Sequence, residues 1–426
     1  MYTCDEIEKR IFLAQYRLWH QHFESTEDRK TKVWLLSTEK SPFISSTYDF
    51  NSGSIGISII DPFNGRRPWL LTYDTTVRGD NVGLYPTVLL DSQVINRLDA
   101  YLKNQNSNSH ESNSTRQFLR FVVERNYDYN LAFYYMESVL TSGIEITKRI
   151  GKKAANVILQ LHTMDQEVFL QNGRIIPDRK RCRVYAKRYG LNSIDCNFYN
   201  EIATLMTNQM LENAEKIREN LRFIADYTYT ILLKIVLINS SQNLAITEKM
   251  QELCSFVENQ FDLLLGREHA IAAYYFSKQL PSKFIPFKVK DISFEEVCRR
   301  LDSTARDFCL LRLPETLLFA GNEQATRLGF PCSAENAIRK IGRLITIKNA
   351  ISLSDNYLPT EIEIDIETLQ QELGEEVIET LQNQQQRLNN IRLQAQVEQK
   401  RIPISHEQLQ ELIAELEKQV QPFCKE

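Results

Sequence analysis

The chain is poor in glycine and proline, with 14 and 12 copies in 426 residues. That scarcity excludes collagen-like and broadly disordered chains and favours long helices over an all-β sandwich. Cysteines at CxxC spacing are absent. Cys4, Cys182, Cys196, Cys254, Cys298, Cys309, Cys332 and Cys424 are scattered, which excludes a zinc ribbon and fits buried free thiols in a reducing compartment. A strong net charge is absent too; at −4 the composition alone does not point to nucleic acid. No apolar run approaches the roughly 20 residues of a bilayer span. The most apolar stretch, Tyr229 to Asn239, is interrupted by Lys234. The N-terminus, Met1 to Arg10, is acidic and polar where a secretory leader is basic and then apolar. The expectation is a cytoplasmic protein with no membrane partner. There is also no GxxxxGK[ST] phosphate loop, and no visible Ser-His or Cys-His arrangement for nucleophilic catalysis.

What is present divides the chain by texture. Asp5 to Phe23 reads as a helix, with Ile7, Phe12, Trp19 and Phe23 on one broad apolar face. Short strands are expected at Val33–Leu36, Ile55–Ile60 and Trp69–Tyr73, separated by the turn clusters Ser41-Pro42, Asn51-Ser52-Gly53 and Asn64-Gly65. A β-prone run, Thr87 to Leu90, ends in Asp91 and precedes a helical pattern. Helices are expected at 116–124 and 129–140, across most of 145–280, and at 294–300 and 304–311, with a short strand near 317–320 or 328–331. From Ile366 onward, apolar residues recur every three to four positions among Gln and Glu, and the pattern resumes from Leu409 to Val420 after Pro403. It reads as a helical hairpin or weak coiled coil, either detached or packed on the body.

Four acids stand out. Asp91 follows a buried strand, where open α/β sheets bind ligands, although it could equally cap the next helix. Glu137 stands among Phe133, Tyr134, Tyr135, Met136 and Val139, and a carboxylate there is costly to bury unless paired or bound to a cation. Asp307 and Glu335 each precede apolar helical stretches and could be helix-start acids favoured by the dipole.

Taken together, these stretches resemble the PIN domain, an α/β nuclease family. Leu89-Leu90-Asp91-Ser92-Gln93-Val94-Ile95 is similar to that family's first-strand motif, in which two hydrophobic residues precede Asp and Ser or Thr. Glu137 matches the helix-borne second acid and Asp307 the acid heading a late helix. Cys332-Ser333-Ala334-Glu335 looks like the element after a late strand, with Glu in place of Asp. The matches cover roughly 84–141 and 293–345; a long helical stretch between the second and third acids departs from small family members.

The resemblance implies an α/β fold: a PIN-like three-layer core (84–144 and 293–360) carrying a large α-helical insertion (145–292). A small β-rich N-terminal unit (1–83) and a helical tail (361–426) flank it. It implies an endoribonuclease, of the kind found among toxins and defence effectors, with Mg²⁺ or Mn²⁺ held by Asp91, Glu137 and Asp307 and with Glu335 peripheral. RNA is preferred to DNA on the resemblance alone. The chemistry suits the residues, because hard cations take oxygen ligands and polarise phosphodiesters. The competing expectation is a non-enzymatic helical interaction protein in which these acids are caps and surface charges.

Charge is unevenly placed. Residues 148–188 hold eleven Lys or Arg against three acids, a net of +8. Arg179, Lys180, Arg181, Arg183, Lys187 and Arg188, interleaved with Tyr185 and Tyr189, suit phosphates and stacked bases. Residues 361–426 hold fourteen acids against six bases, a net of −8, so the tail is a candidate docking element for a second copy, a partner protein or the basic segment.

Overall fold

The computed structural model describes residues 4–50, 56–212, 214–241, 244–261, 266–319, 325–353, 356–357, 360–383, 387 and 404–425. The expected turn at 51–53, the start of the strand at Ile55, Ala320, and the tail positions Leu388 and Ile391 lie outside these residues.

Helix α1 (Cys4–Thr26) leads into β1 (Lys32–Lys40), β2 (Tyr48–Phe50), β3 (Ile57–Ile59) and β4 (Arg66–Leu71). A short α2 (Tyr73–Thr76) precedes β5 (Gly83–Leu90), α3 (Ser92–Lys103), α4 (His110–Glu124), β6 (Asp128–Asn130) and α5 (Ala132–His162). There follow α6 (Gln166–Asn172), α7 (Arg179–Arg188), α8 (Phe198–Leu211), α9 (Ala214–Ser241), α10 (Ile246–Phe261), α11 (Gly266–Phe276) and α12 (Phe294–Cys309). The chain continues with α13 (Leu313–Phe319), β7 (Ala325–Ser333), α14 (Asn336–Gly342), β8 (Ile345–Leu353), β9 (Asn356–Tyr357), α15 (Ile366–Leu373) and α16 (His406–Val420). The protein is thus mixed α/β. None of the described helices is long and apolar enough to cross a membrane.

The chain forms two compact units, Met1–Arg218 with Leu310–Glu361, and Glu219–Cys309 with Ile362–Glu426. This division differs from the one expected from texture. The helical stretch after residue 145 is shared between the units, and the tail belongs to the second.

In the first unit the early strands do not make a separate N-terminal domain. β1 and β4 pair antiparallel, and β8 joins the other side of β1, whereas β2 and β3 belong to the second sheet. Alternation along β1 explains its place between layers. Val33 and Leu35 pack with Phe23 and Leu71 under Phe12, Tyr16 and Trp19 of α1. Trp34 faces the opposite way, and its indole N–H donates to the Leu318 carbonyl at 2.9 Å. Ile7, expected on the apolar face of α1, is instead 48% exposed, because the packed face runs through Phe12, Tyr16, Trp19 and Phe23 at three- and four-residue steps and Ile7, five residues before Phe12, falls off it.

The second sheet has the order β2-β3-β7-β5-β6. β5 runs parallel to both β6 and β7, and β3 closes antiparallel on β7. β5 has buried residues on both faces from Pro86 to Leu90, as a central parallel strand requires. α5 is a single helix by its hydrogen bonds but is kinked at Gly143, whose φ of 76° no other residue type adopts easily.

The described part of the second unit is helical apart from a strand segment at residues 362–364. Leu409, Ile413, Leu416 and Val420 of α16 are buried, as are Leu369, Val377 and Ile378. Gln410 donates to the buried Asp226 carboxylate at 2.6 Å, Tyr229 donates to Glu417 at 2.7 Å, and Tyr274 donates to Glu372 at 2.7 Å. The described tail is therefore part of the unit's core. Its seam is filled from within the unit and is not a free face for a partner or for the basic segment.

Candidate functional site

The chain leaves β5 through α3 and α4 to form β6 on one side, and returns much later as β7 on the other. The carboxyl ends of β5 and β7 therefore flank a reversal of strand order, the crevice at which open α/β sheets bind ligands. The register sets Leu90 opposite Cys332, so Asp91 and Ser333-Ala334-Glu335 emerge side by side.

Asp91 is the N-cap of α3; its carboxylate accepts from the Val94 N–H at 2.7 Å. It is 7% exposed, and burial pushes its pKa up to about 6, against hydrogen bonds from the Ser333 hydroxyl, the Val94 N–H and the Ala334 N–H. The negative charge of Glu335 pushes the same way as burial. Ser333 is the hinge of the arrangement, since its oxygen also accepts from the Glu335 N–H at 3.0 Å. The Gln93 side-chain amide donates to the Glu335 carboxylate. Beneath them lies the Cys332 thiol, held well above its ordinary pKa by burial and by Asp91.

The structure thus brings together a pair, Asp91 and Glu335. Glu137 is half-buried in α5, which begins just beyond β6, where Asn130 pairs with Leu89 beside the end of β5. Asp307 does not head a helix. The buried positions Val297, Leu301, Thr304, Ala305 and Phe308 run unbroken through α12, so the two short helices expected at 294–300 and 304–311 are one, and Asp307 falls in its last turn. That helix belongs to the second unit. Among the described residues, no three His, Cys, Asp or Glu side chains are gathered so as to hold a metal ion. What the pair offers is two carboxylates, and Mg²⁺ is commonly bound through one or two carboxylates with water and substrate phosphate filling the rest.

The basic segment forms α7, capped by Asp178 through the Lys180 N–H at 2.7 Å. Cys182 and Ala186 face inward, and Arg179, Lys180, Arg183, Lys187 and Arg188 are exposed. Arg181 departs from the stripe: it turns inward and donates to the Gln166 side chain at 2.6 Å.

Sequence reasoning misses Ser333 and Gln93, which orient the two acids, and the buried Asp61. Asp61 shapes a turn by accepting from the Phe63 N–H at 2.9 Å and from the Gly65 N–H, and burial raises its pKa to about 6. The Asp-Pro-Phe-Asn-Gly run is the turn signal that could reveal it. The expectation of buried free thiols holds only in part: Cys182, Cys254, Cys309 and Cys332 are free and buried, but Cys196 is exposed.

No family model, curated protein or solved structure matches this chain.

Proposed function

We propose that the first unit is a metal-dependent nuclease that hydrolyses RNA phosphodiester bonds at the carboxyl edge of β5 and β7. The observation that carries this reading is the buried Asp91 carboxylate set beside Glu335 at the reversal of strand order. Asp91 and Glu335 would hold Mg²⁺ or Mn²⁺, Glu137 of α5 would complete the site directly or through water, and Asp307 is retained only as an acid of the second unit. The ion supplies charge on the phosphate and acidifies a water. The chain's own residues orient the carboxylates: Ser333 and the Ala334 N–H fix Asp91, and Gln93 fixes Glu335. The exposed bases of α7, a helix beside the amino-terminal ends of the strands, would bind phosphates at a distance from that edge. The experiment is cleavage of a mixed single-stranded and structured RNA set with Mg²⁺ or Mn²⁺, then with chelator, then with metal restored. Cleavage that follows the metal supports the reading; cleavage indifferent to chelation removes it.

One observation favours a second reading. Asp91 makes a good N-cap, which is a structural role sufficient in itself. If that is its whole role, the protein is a non-enzymatic interaction module, and replacing Asp91 changes stability but no activity.

A further inference from the structure

At the opposite, amino-terminal edge of the parallel strands lies a cavity of about 750 Å³, wholly within the first unit. That volume falls in the range of roughly 300–1,000 Å³ typical of small-molecule sites. One wall is a row of three rings: Tyr129 and His162 have centroids 5.5 Å apart, and His162 and Tyr185 5.7 Å. The row is held in place. The Asp128 carboxylate lies 3.1 Å from His162 Nε2, and the Tyr185 hydroxyl meets Nδ1. Burial pushes the Tyr185 pKa up to about 12, so its hydroxyl is the donor to Nδ1 and the ring proton is assigned to Nε2, facing Asp128. Asp128 stays ionised. Burial alone would raise its pKa, but the Nε2–H of His162, the Tyr129 N–H and Arg327 bring it below the ordinary value.

Two arginines also line the cavity. Arg327 sits 4.0 Å from Asp128 and is 53% exposed. Arg181 is the residue that left the α7 stripe, and beyond its bond to Gln166 its nearest carboxylate is Asp178, at 3.8 Å. A guanidinium carries five donors, so each retains several for a ligand. The Tyr129 hydroxyl is buried without a hydrogen-bond partner among the described residues.

We propose that this cavity binds a mononucleotide, with the phosphate on Arg181 and Arg327 and the base against the ring row. Guanidinium forks match phosphate oxygens bidentately, and aromatic faces accept any base. An inorganic anion would leave the ring wall and most of the volume unused. The site stands apart from the Asp91 edge, so its fate does not depend on the nuclease reading.

The test is equilibrium dialysis of the full chain against AMP, GMP, CMP and UMP, with adenosine and inorganic phosphate as separate arms. Saturable binding of at least one mononucleotide is expected, weakened at least tenfold by Arg327→Gln and by Arg181→Gln, with adenosine binding unchanged by either. Thermal unfolding of both variants should match the parent, since neither arginine is buried. No saturable nucleotide binding, phosphate binding as tightly as the nucleotides, or unaltered nucleotide affinity in both variants would each overturn the proposal.

Discussion

Asp91 is where sequence and structure meet most closely, and its two roles make opposite demands. As a cap it is stabilising; as a buried carboxylate it is costly. The folded pKa of about 6 lies above the ordinary aspartate value near 4, for Asp91 and for Asp61 alike. For an acid with a raised folded pKa, the stability is fully present below the unfolded pKa and is lost as pH rises through the folded one. Between about pH 4 and pH 6 each group should therefore come to cost up to about 3 kcal/mol, since a tenfold change in proton affinity is worth about 1.36 kcal/mol. Denaturant unfolding across that window should show stability falling with pH, beneath whatever other groups contribute. In Asp91→Asn the fall should be shallower. At pH 7.5 this variant should be about 1–2 kcal/mol more stable than the parent: removing the buried charge gains up to about 3 kcal/mol, and the amide, which keeps the Val94 cap but cannot accept from Ala334 as well, gives back about 1–2 kcal/mol of it. A variant less stable than the parent at neutral pH would mean that capping outweighs desolvation.

The acid after the first parallel strand is legible because a β-prone run ending in Asp before a helical pattern has two readings, a sheet-edge ligand site and a helix cap, and both single out the same residue. Its partner Glu335 stands out as an acid before an apolar helical stretch but is set beside Asp91 only by the resemblance, and the two residues that orient the pair do not emerge at all. Ser333 and Gln93 act through registers that no local pattern encodes. The sequence misplaces Asp307 because the polar residues Asp302, Ser303 and Thr304 look like a helix break. Helix-period positions on either side of them carry α12 straight through.

At the scale of elements, strands are less legible than helices. β6 is three residues long and lies where the sequence pattern predicts the start of a helix, and β8 falls where the pattern predicts no strand despite its length. Short strands gain their stability from neighbours distant in sequence, so their own residues say little. β1, by contrast, shows itself through the apolar run Val33 to Leu36. α7 is legible in charge but not in its inward turn at Arg181. Its exposed stripe makes a separable prediction. Replacing Arg179, Lys180, Arg183 and Lys187 with Ala leaves the cavity arginine in place. It should weaken RNA binding and reduce the salt slope by about 0.7 per lost phosphate contact, hence by at most about 3 in all. A filter-binding series at four or more salt concentrations measures this. An unchanged slope would assign α7 no phosphate contacts.

At the scale of the molecule, the notable departure is the tail. A regular apolar seam in a Gln- and Glu-rich segment reads equally well as a detached coiled coil or as a buried helix, because periodicity records that a face is covered and not by what. Here α16 is covered by the second unit, to which Tyr229 and Asp226 tie it. Removing residues 361–426 should then unfold that unit. The four buried residues of α16 alone represent about 6–12 kcal/mol of burial at roughly 1.5–3 kcal/mol each, comparable with a whole domain's stability. Limited proteolysis of the truncated chain should cut within 219–309, whereas the full chain resists there. A truncated chain as resistant as the full one would return the tail to the status of an appendage.

The most direct measurement compares wild type and Asp91→Asn for cleavage of the same RNA set in Mn²⁺, with thermal unfolding of both recorded alongside. Losing a direct metal ligand should lower the rate at least a hundredfold, about 2.7 kcal/mol in the barrier, while the variant melts no lower than the parent. Equal cleavage by the two proteins, or none by either at any metal concentration, would contradict the assignment of this edge as a nuclease site.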